Sequence, residues 1–152
     1  MNLQMDGRKA DNYSSNAQKI RVITEDWVNN NMFCPYCGNK YVSHFENNRP
    51  VADFFCPSCK EEYELKSKGA SISNKINDGA YNTMIERITS INNPNFFFMH
   101  YNKISLQIEN FVMVPKYFFS PDIIEKRKPL AETARRAGWT GCNILLNRIP
   151  NV

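Results

Sequence analysis

Two carboxylates and one ammonium group are spaced for shared chemistry in the stretch Arg49–Lys68, RPVADFFCPSCKEEYELKSK. Asp53 lies in an apolar run (Val51, Ala52, Phe54, Phe55) that reads as a strand. Glu64-Leu65-Lys66 follows after ten intervening residues and reads as the next one. Alternation along a strand sends Glu64 and Lys66 to one face and Tyr63, Leu65 and Ser67 to the other. A hairpin would set Asp53 beside that pair. The Asp53 and Glu64 carboxylates, with the Leu65 carbonyl, are hard oxygen donors suited to Mg²⁺. Lys66 can orient or deprotonate an attacking water, or steady developing negative charge. The chemistry implied is metal-assisted hydrolysis of a phosphodiester. A lone carboxylate in a half-buried strand is costly unless it meets a cation or a partner, and Pro50 sits just before the strand, where a missing donor is tolerated.

The spacing Asp, ten residues, Glu-x-Lys resembles the catalytic motif of the PD-(D/E)xK nuclease superfamily. By itself the pattern also fits a strand face that merely meets solvent, because Glu-x-Lys triplets are frequent. The cysteines narrow the choice. Cys34-Pro35-Tyr36-Cys37 and Cys56-Pro57-Ser58-Cys59 are two matched Cys-Pro-x-Cys knuckles with 18 residues between Cys37 and Cys56. Two such turns present four thiolates to one tetrahedral Zn²⁺, a closed and structural site. Disulfide pairing and a redox Cys-x-x-Cys are the competing readings. No signal-peptide pattern precedes them, and the two knuckles match. Cys142, apart from the rest, reads as a small buried apolar group. The second knuckle lies between Asp53 and Glu64, so zinc would set the register of the strands that carry the candidate active site.

Those strands need a domain around them. The 152 residues suffice for one domain, and 19 basic against 15 acidic residues give +4, mildly basic and compatible with nucleic acid. No run approaches the roughly 18 apolar residues of a membrane span, and reduced cysteines point to the cytoplasm. The first dozen residues read as polar and loose. Ser14 or Ser15 can cap a helix whose apolar face is Ala17, Ile20, Ile23, Trp27 and Val28. Glu25 lies off that face, where a glutamate ordinarily meets solvent, although nucleases of this type sometimes aim one at the metal. A zinc-binding insertion spans about 33–60. Asn77 or Asp78 can cap a second helix with the stripe Ala80, Tyr81, Met84, Ile85 and Ile88. Asn95–Tyr101 and Ile108–Val114 read as two strands, each apolar enough for a buried central position. The order predicts an α/β fold, a mixed sheet flanked by helices with an inserted Cys₄ ribbon.

The last third carries the charge. Lys116 to Arg148 holds seven basic residues against three acids, an excess equal to the whole +4. Lys126, Arg127, Lys128, Arg135 and Arg136 precede Gly138-Trp139-Thr140-Gly141. This combination fits phosphate clamping with an aromatic pressed against bases. A core Trp139 behind a solvated basic face fits equally, and the flanking glycines suggest a projecting, mobile loop.

Longer stretches carry a more specific likeness: Asn12 to Val28, HFENNRPVADF (His44–Phe54), EYELKSK (Glu62–Lys68), INDGAY (Ile76–Tyr81), NNPNFFF (Asn92–Phe98) and RRAGWTGCNI (Arg135–Ile144). Together, from about Tyr13 onward, they resemble the DpnI-like family of methyl-directed restriction endonucleases. The resemblance implies a PD-(D/E)xK nuclease domain over residues 1–152 that cleaves double-stranded DNA at GATC when the adenine is N6-methylated. On it, Asp53, Glu64 and Lys66 match the catalytic motif, and Cys34, Cys37, Cys56 and Cys59 match the zinc site. Lys126, Arg127, Lys128, Arg135, Arg136 and Trp139 fall in the DNA-facing region. The resemblance also implies a winged-helix domain following the nuclease domain in family members, and none is expected within residues 1–152. A monomeric Mg²⁺-dependent enzyme is expected. The alternatives are a zinc-ribbon module that binds methylated DNA without cutting it, and an end-dependent nuclease on the same core.

Overall fold

The computed structural model describes residues 1–46 and 52–150, so the expectations resting on Pro50 and Val51 lie outside the described residues. The chain forms two compact units, one from Met1–Ser71 and Pro94–Val114, the other from Ile72–Asn93 and Pro115 onward.

The first unit is a five-stranded mixed sheet with one long helix. Its strands are β1 (Ser43–His44), β2 (Phe54–Phe55), β3 (Glu62–Lys68), β5 (Asn95–Tyr101) and β6 (Ile108–Val114), in the order β1-β2-β3-β5-β6. β3 and β5 run parallel and the other pairings are antiparallel. Alternation along β3 and β5 gives the sheet two different faces. Tyr63, Phe97, Met99 and the partly buried Leu65, Phe111 and Met113 form one core with Ile23, Trp27 and Val28 of helix α1 (Asn16–Asn31). Tyr63 and Phe97 stack at 4.7 Å, Phe97 meets Phe111 at 5.1 Å and Trp27 meets Phe111 at 5.7 Å. Such offset aromatic contacts add to the area they bury.

The expected helix is present, with Ser15 at its N-cap but with no side-chain capping bond. Thr24 joins its buried face by returning its hydroxyl to the Ile20 carbonyl at 2.9 Å, which satisfies a polar group among apolar neighbours. Ala17 is exposed. The first dozen residues differ from expectation: they are tied down. Met5 and Ala10 are buried at 2% exposure, the Trp27 indole donates to the Asn2 carbonyl at 2.8 Å, and the Met5 and Ile108 amides bond to Leu106 and Leu3. Two small apolar anchors in a polar segment are too sparse to show a period. β6 also differs: only Ile108 and Val114 are buried. It is an edge strand, while β5 beside it is buried at all but His100.

The second unit has a three-stranded antiparallel sheet, β4 (Lys75–Ala80), β8 (Gly141–Leu145) and β7 (Ile124–Lys126) in the order β4-β8-β7, and helix α2 (Tyr81–Thr89). Asn77 and Asp78 belong to β4 and cap nothing; Ala80 holds the N-cap position. Met84 and Ile88 of the expected stripe are buried. Cys142 is fully buried on β8, as expected. The register Ile124↔Ile144↔Ile76 makes the apolar row of this sheet.

Phe97 touches both Tyr63 and Phe111, so Phe97→Ala is expected to lower the unfolding free energy by about 3–5 kcal/mol. Val112→Ala, on the edge strand and 39% exposed, is expected to cost under about 1 kcal/mol. Equal midpoints in urea titrations of the two variants would contradict this layout of the core.

Candidate active site and metal centre

The β2–β3 ladder is only two rungs long, Phe54↔Tyr63 and Phe55↔Glu62. The Asp53 amide continues it by bonding to the Tyr63 carbonyl at 3.0 Å. There the strands part, and the Asp53 carboxylate takes over as acceptor for the next free amide, Leu65 N–H, at 2.7 Å. The backbone thus fixes Asp53 next to Glu64. Lys66 Nζ lies 3.0 Å from Glu64 Oε1, with both side chains largely buried. Asp53, Glu64 and Lys66 are therefore brought together as the residue types suggested.

The electrostatics of the cluster are one-sided. Burial pushes the Asp53 carboxyl above its ordinary range, and the neighbouring Glu64 and Glu25 carboxylates push the same way; the Leu65 amide and Lys66 oppose them. A divalent cation could offset the crowding of two acids beside one lysine out of bulk water. The donor set suits a hard ion: Asp53 and Glu64 carboxylate oxygens with the Leu65 carbonyl.

Glu25 reaches this neighbourhood, and His44 was not anticipated from the sequence. The Glu25 carboxylate meets Arg21 Nε at 2.8 Å and His44 Nε2 at 2.7 Å. β1 pairs His44 with Phe54, the residue after Asp53, and the imidazole stands edge-on to the Phe54 ring at 5.2 Å. A two-residue strand carries no period, so nothing in the sequence marked His44. The Arg21/Glu25 spacing of four on a helix was the one available signal.

Between β2 and β3, the four knuckle cysteines converge, with all four Sγ atoms within 4.8 Å of one another. Cys34 and Cys59 are 3.7 Å apart and Cys37 and Cys56 3.6 Å. These separations are far beyond a disulfide bond of about 2.05 Å. They match the edge of about 3.8 Å that tetrahedral Zn–S bonds of about 2.3 Å would give. The two turns are near copies. Gly38 N–H bonds to the Cys34 carbonyl and Lys60 N–H to the Cys56 carbonyl, each at 2.9 Å. Gly38 and Lys60 take left-handed φ of 77° and 68°. The cluster can hold one structural zinc. Without metal the thiols differ: the Asn39 amide holds Cys37 down to about 7, and burial pushes Cys59 up to about 12, so zinc binding would release protons. Tyr63 links this centre to the active strand. Burial keeps its phenol protonated, and the oxygen lies 3.0 Å from Cys34 Sγ, placed to donate to a thiolate.

The basic segment sits in the second unit. Its turn is pinned and not free to swing: Leu130 N–H bonds to the Trp139 carbonyl at 2.9 Å and Gly138 N–H to the Leu130 carbonyl at 3.0 Å, with Gly138 at φ 80°. Trp139 is half-buried, between the core and projecting extremes. Two cations gather on it, Arg136 at 4.7 Å and Arg127 at 5.6 Å from the ring. The Arg127 guanidinium fills the space a Cβ on Gly141 would need. Lys126 lies over Tyr81 at 5.3 Å, while Lys128 and Arg135 are simply exposed.

A family model described as DpnI: Dam-replacing family matches residues 1–152, the whole chain. No helix among the described residues is long and apolar enough to cross a membrane.

Metal analysis of freshly purified protein is expected to show one zinc per chain; disulfides among the four cysteines would contradict the site. Tyr63→Phe should keep the zinc and cost about 1–2 kcal/mol through the lost hydrogen bond. Asp53 gives a pH signature. Its raised folded pKa means the stability its protonated form contributes is full below the ordinary 3.8 and is lost as pH rises through the folded value. Metal-free Asp53→Asn, which keeps an oxygen for Leu65 N–H, should therefore melt above the parent at pH 7 and level with it at pH 3. No difference at pH 7 would remove the assigned electrostatic cost.

Proposed function

The chain belongs to the DpnI family, and on that premise we propose that it is a Mg²⁺-dependent endonuclease with a PD-(D/E)xK core. Its proposed substrate is double-stranded DNA at GATC carrying N6-methyladenine. The observation that carries the reading is the convergence of Asp53, Glu64 and Lys66 at the point where β2 and β3 part. A protein that only bound methylated DNA would gain nothing from aiming two carboxylates at a phosphate backbone.

In this reading Asp53, Glu64 and the Leu65 carbonyl hold Mg²⁺. When bound, the ion supplies Lewis-acid stabilisation of the phosphoryl oxygens and offsets the crowding of the two acids. The Leu65 amide fixes the Asp53 carboxylate in place. Glu64 holds the Lys66 ammonium at 3.0 Å, so the lysine is oriented before substrate arrives. Lys66, as an ammonium, would orient the attacking water and balance the negative charge that develops as the new P–O bond forms and the bond to the leaving oxygen breaks, with the water's proton passing to solvent. The closed cysteine site has no open coordination position for chemistry and serves to hold the hairpin.

Recognition is assigned to the second unit. Lys126, Arg127, Lys128, Arg135 and Arg136 would contact phosphates, and Trp139 would meet the bases near the methyl group. An apolar methyl is read by shape, as thymine's is. The flanking guanidiniums of Arg127 and Arg136 support a contact role, because they hold the indole at the surface in one orientation.

The decisive experiment is digestion of methylated and unmethylated plasmid with and without Mg²⁺. Cleavage confined to methylated plasmid with Mg²⁺ is expected, and Asp53→Ala should lose on the order of 10³-fold or more of the rate while still binding. Binding without cleavage by the parent would favour the zinc-ribbon module instead. Trp139→Ala should reduce the methylated-to-unmethylated affinity ratio by about tenfold, within the 1–3 kcal/mol of a base contact. A destabilised variant with an unchanged ratio would return Trp139 to a packing role.

A further inference from the structure

Helix α1 carries a polar stripe, Arg21, Glu25 and Asn29, spaced by four so that the three side chains share one face. The last two hold β1. The Asn29 side chain accepts from the His44 amide at 3.1 Å, and Glu25 Oε2 lies 2.7 Å from His44 Nε2. One residue further on, the Phe45 amide donates to the Asp53 carbonyl at 2.9 Å. The stripe is therefore tied through β1 to the backbone of Asp53.

Arg21 stands on the solvent side of the stripe. Its Nε donates to Glu25 Oε1 at 2.8 Å. The arginine side chain stays 61% exposed and that of Glu25 only 12%, so the carboxylate is the anchor and the guanidinium the outward group. Arg21 has no further partner among the described residues. A guanidinium offers five N–H donors in a planar fork, and the edge formed by its two terminal nitrogens is left for a second, bidentate anion. Arg8 provides the contrast: its Nε and Nη2 both close on Asp6, each at 3.0 Å.

An arginine four residues before its glutamate is the weaker order for helix stability, so the pair adds little to α1. It does fix the guanidinium in one orientation, which removes part of the ordering cost of a later contact. Arg21 lies close enough to Asp53 for that carboxylate's charge to act on it. A DNA strand approaching Asp53 and Glu64 meets two acids, and Lys66 is already committed to Glu64. A cationic edge on the α1 side offsets that repulsion.

We propose that Arg21, oriented by Glu25 and His44, binds a backbone phosphate of the scissile DNA strand next to the Asp53/Glu64/Lys66 cluster. The proposal rests on the nuclease reading and adds to it a substrate contact on helix α1, separate from the basic segment of the second unit. Such a contact positions the strand and carries no base information.

The test compares duplex binding over a salt series in the Asp53→Ala background, with and without Arg21→Gln. Losing one phosphate contact should take about 0.9 from the slope of log K against log salt, equally on methylated and unmethylated duplex. Arg21→Lys, which keeps the charge, should keep the slope. Arg8→Gln, whose fork is closed on Asp6, should leave it unchanged. With Asp53 intact, Arg21→Gln should raise the concentration for half-maximal cleavage more than it lowers the single-turnover rate at saturation. An unchanged slope in Arg21→Gln overturns the contact, as does an equal loss in Arg8→Gln or a loss that lysine fails to restore. If the parent binds DNA but never cleaves it, the nuclease reading fails while the salt slope still decides the contact.

Discussion

Four thiols converging at the turn between β2 and β3 hold together a hairpin that has only two rungs of its own. An isolated ladder that short is marginal in water. What keeps it is the cysteine centre at one end and the aromatic core beneath it, joined through Tyr63. This residue meets Cys34 with its oxygen and Phe97 with its ring. One side chain therefore couples metal site, sheet and helix α1. The same strand presents Glu64 and Lys66 on its opposite face, so anything that shifts Tyr63 shifts them too. A zinc ion held by the four thiols would fix the register from which the Asp53 and Glu64 carboxylates project without touching them.

The face that carries Asp53 and Glu64 is electrostatically crowded. Asp53 and Glu64 are crowded, Glu25 stands near enough to add to the burden, and Lys66 relieves only part of it. Arg21 and His44 hold Glu25 at the rim. Such conflict lowers the stability of the free protein and is common where a site has been shaped for a ligand. Its placement at the parting of β2 and β3 has a plain cause. A ladder that stops leaves an unpaired amide, and a carboxylate that satisfies that amide is rigid by default.

The second unit uses a different device. Trp139 is neither packed away nor waving in solvent; backbone bonds pin its turn and two guanidiniums flank its ring. Gly141 is required for closeness, because a side chain there would take the place of Arg127. The basic residues consequently divide: Arg127 and Arg136 organise the indole, while Lys128 and Arg135 are left to solvent or to a partner.

Features carried by residue type and short spacing were legible from the sequence alone. The two knuckles, the Asp53 and Glu64-x-Lys66 pair, the strands Asn95–Tyr101 and Ile108–Val114 and helix α1 are all local patterns, set by ligand geometry, strand alternation and helical period. Tertiary structure alone decided what depends on pairing between distant segments. β4 absorbed Asn77 and Asp78 because β8, more than sixty residues later, supplies its ladder. β6 looked as central as β5 and lies at the edge, since composition says how apolar a strand is and not how many neighbours it has. His44 and the buried Met5 were invisible for the same reason: a two-residue strand and a single anchor have no period, and only the assembled sheet gives them a partner.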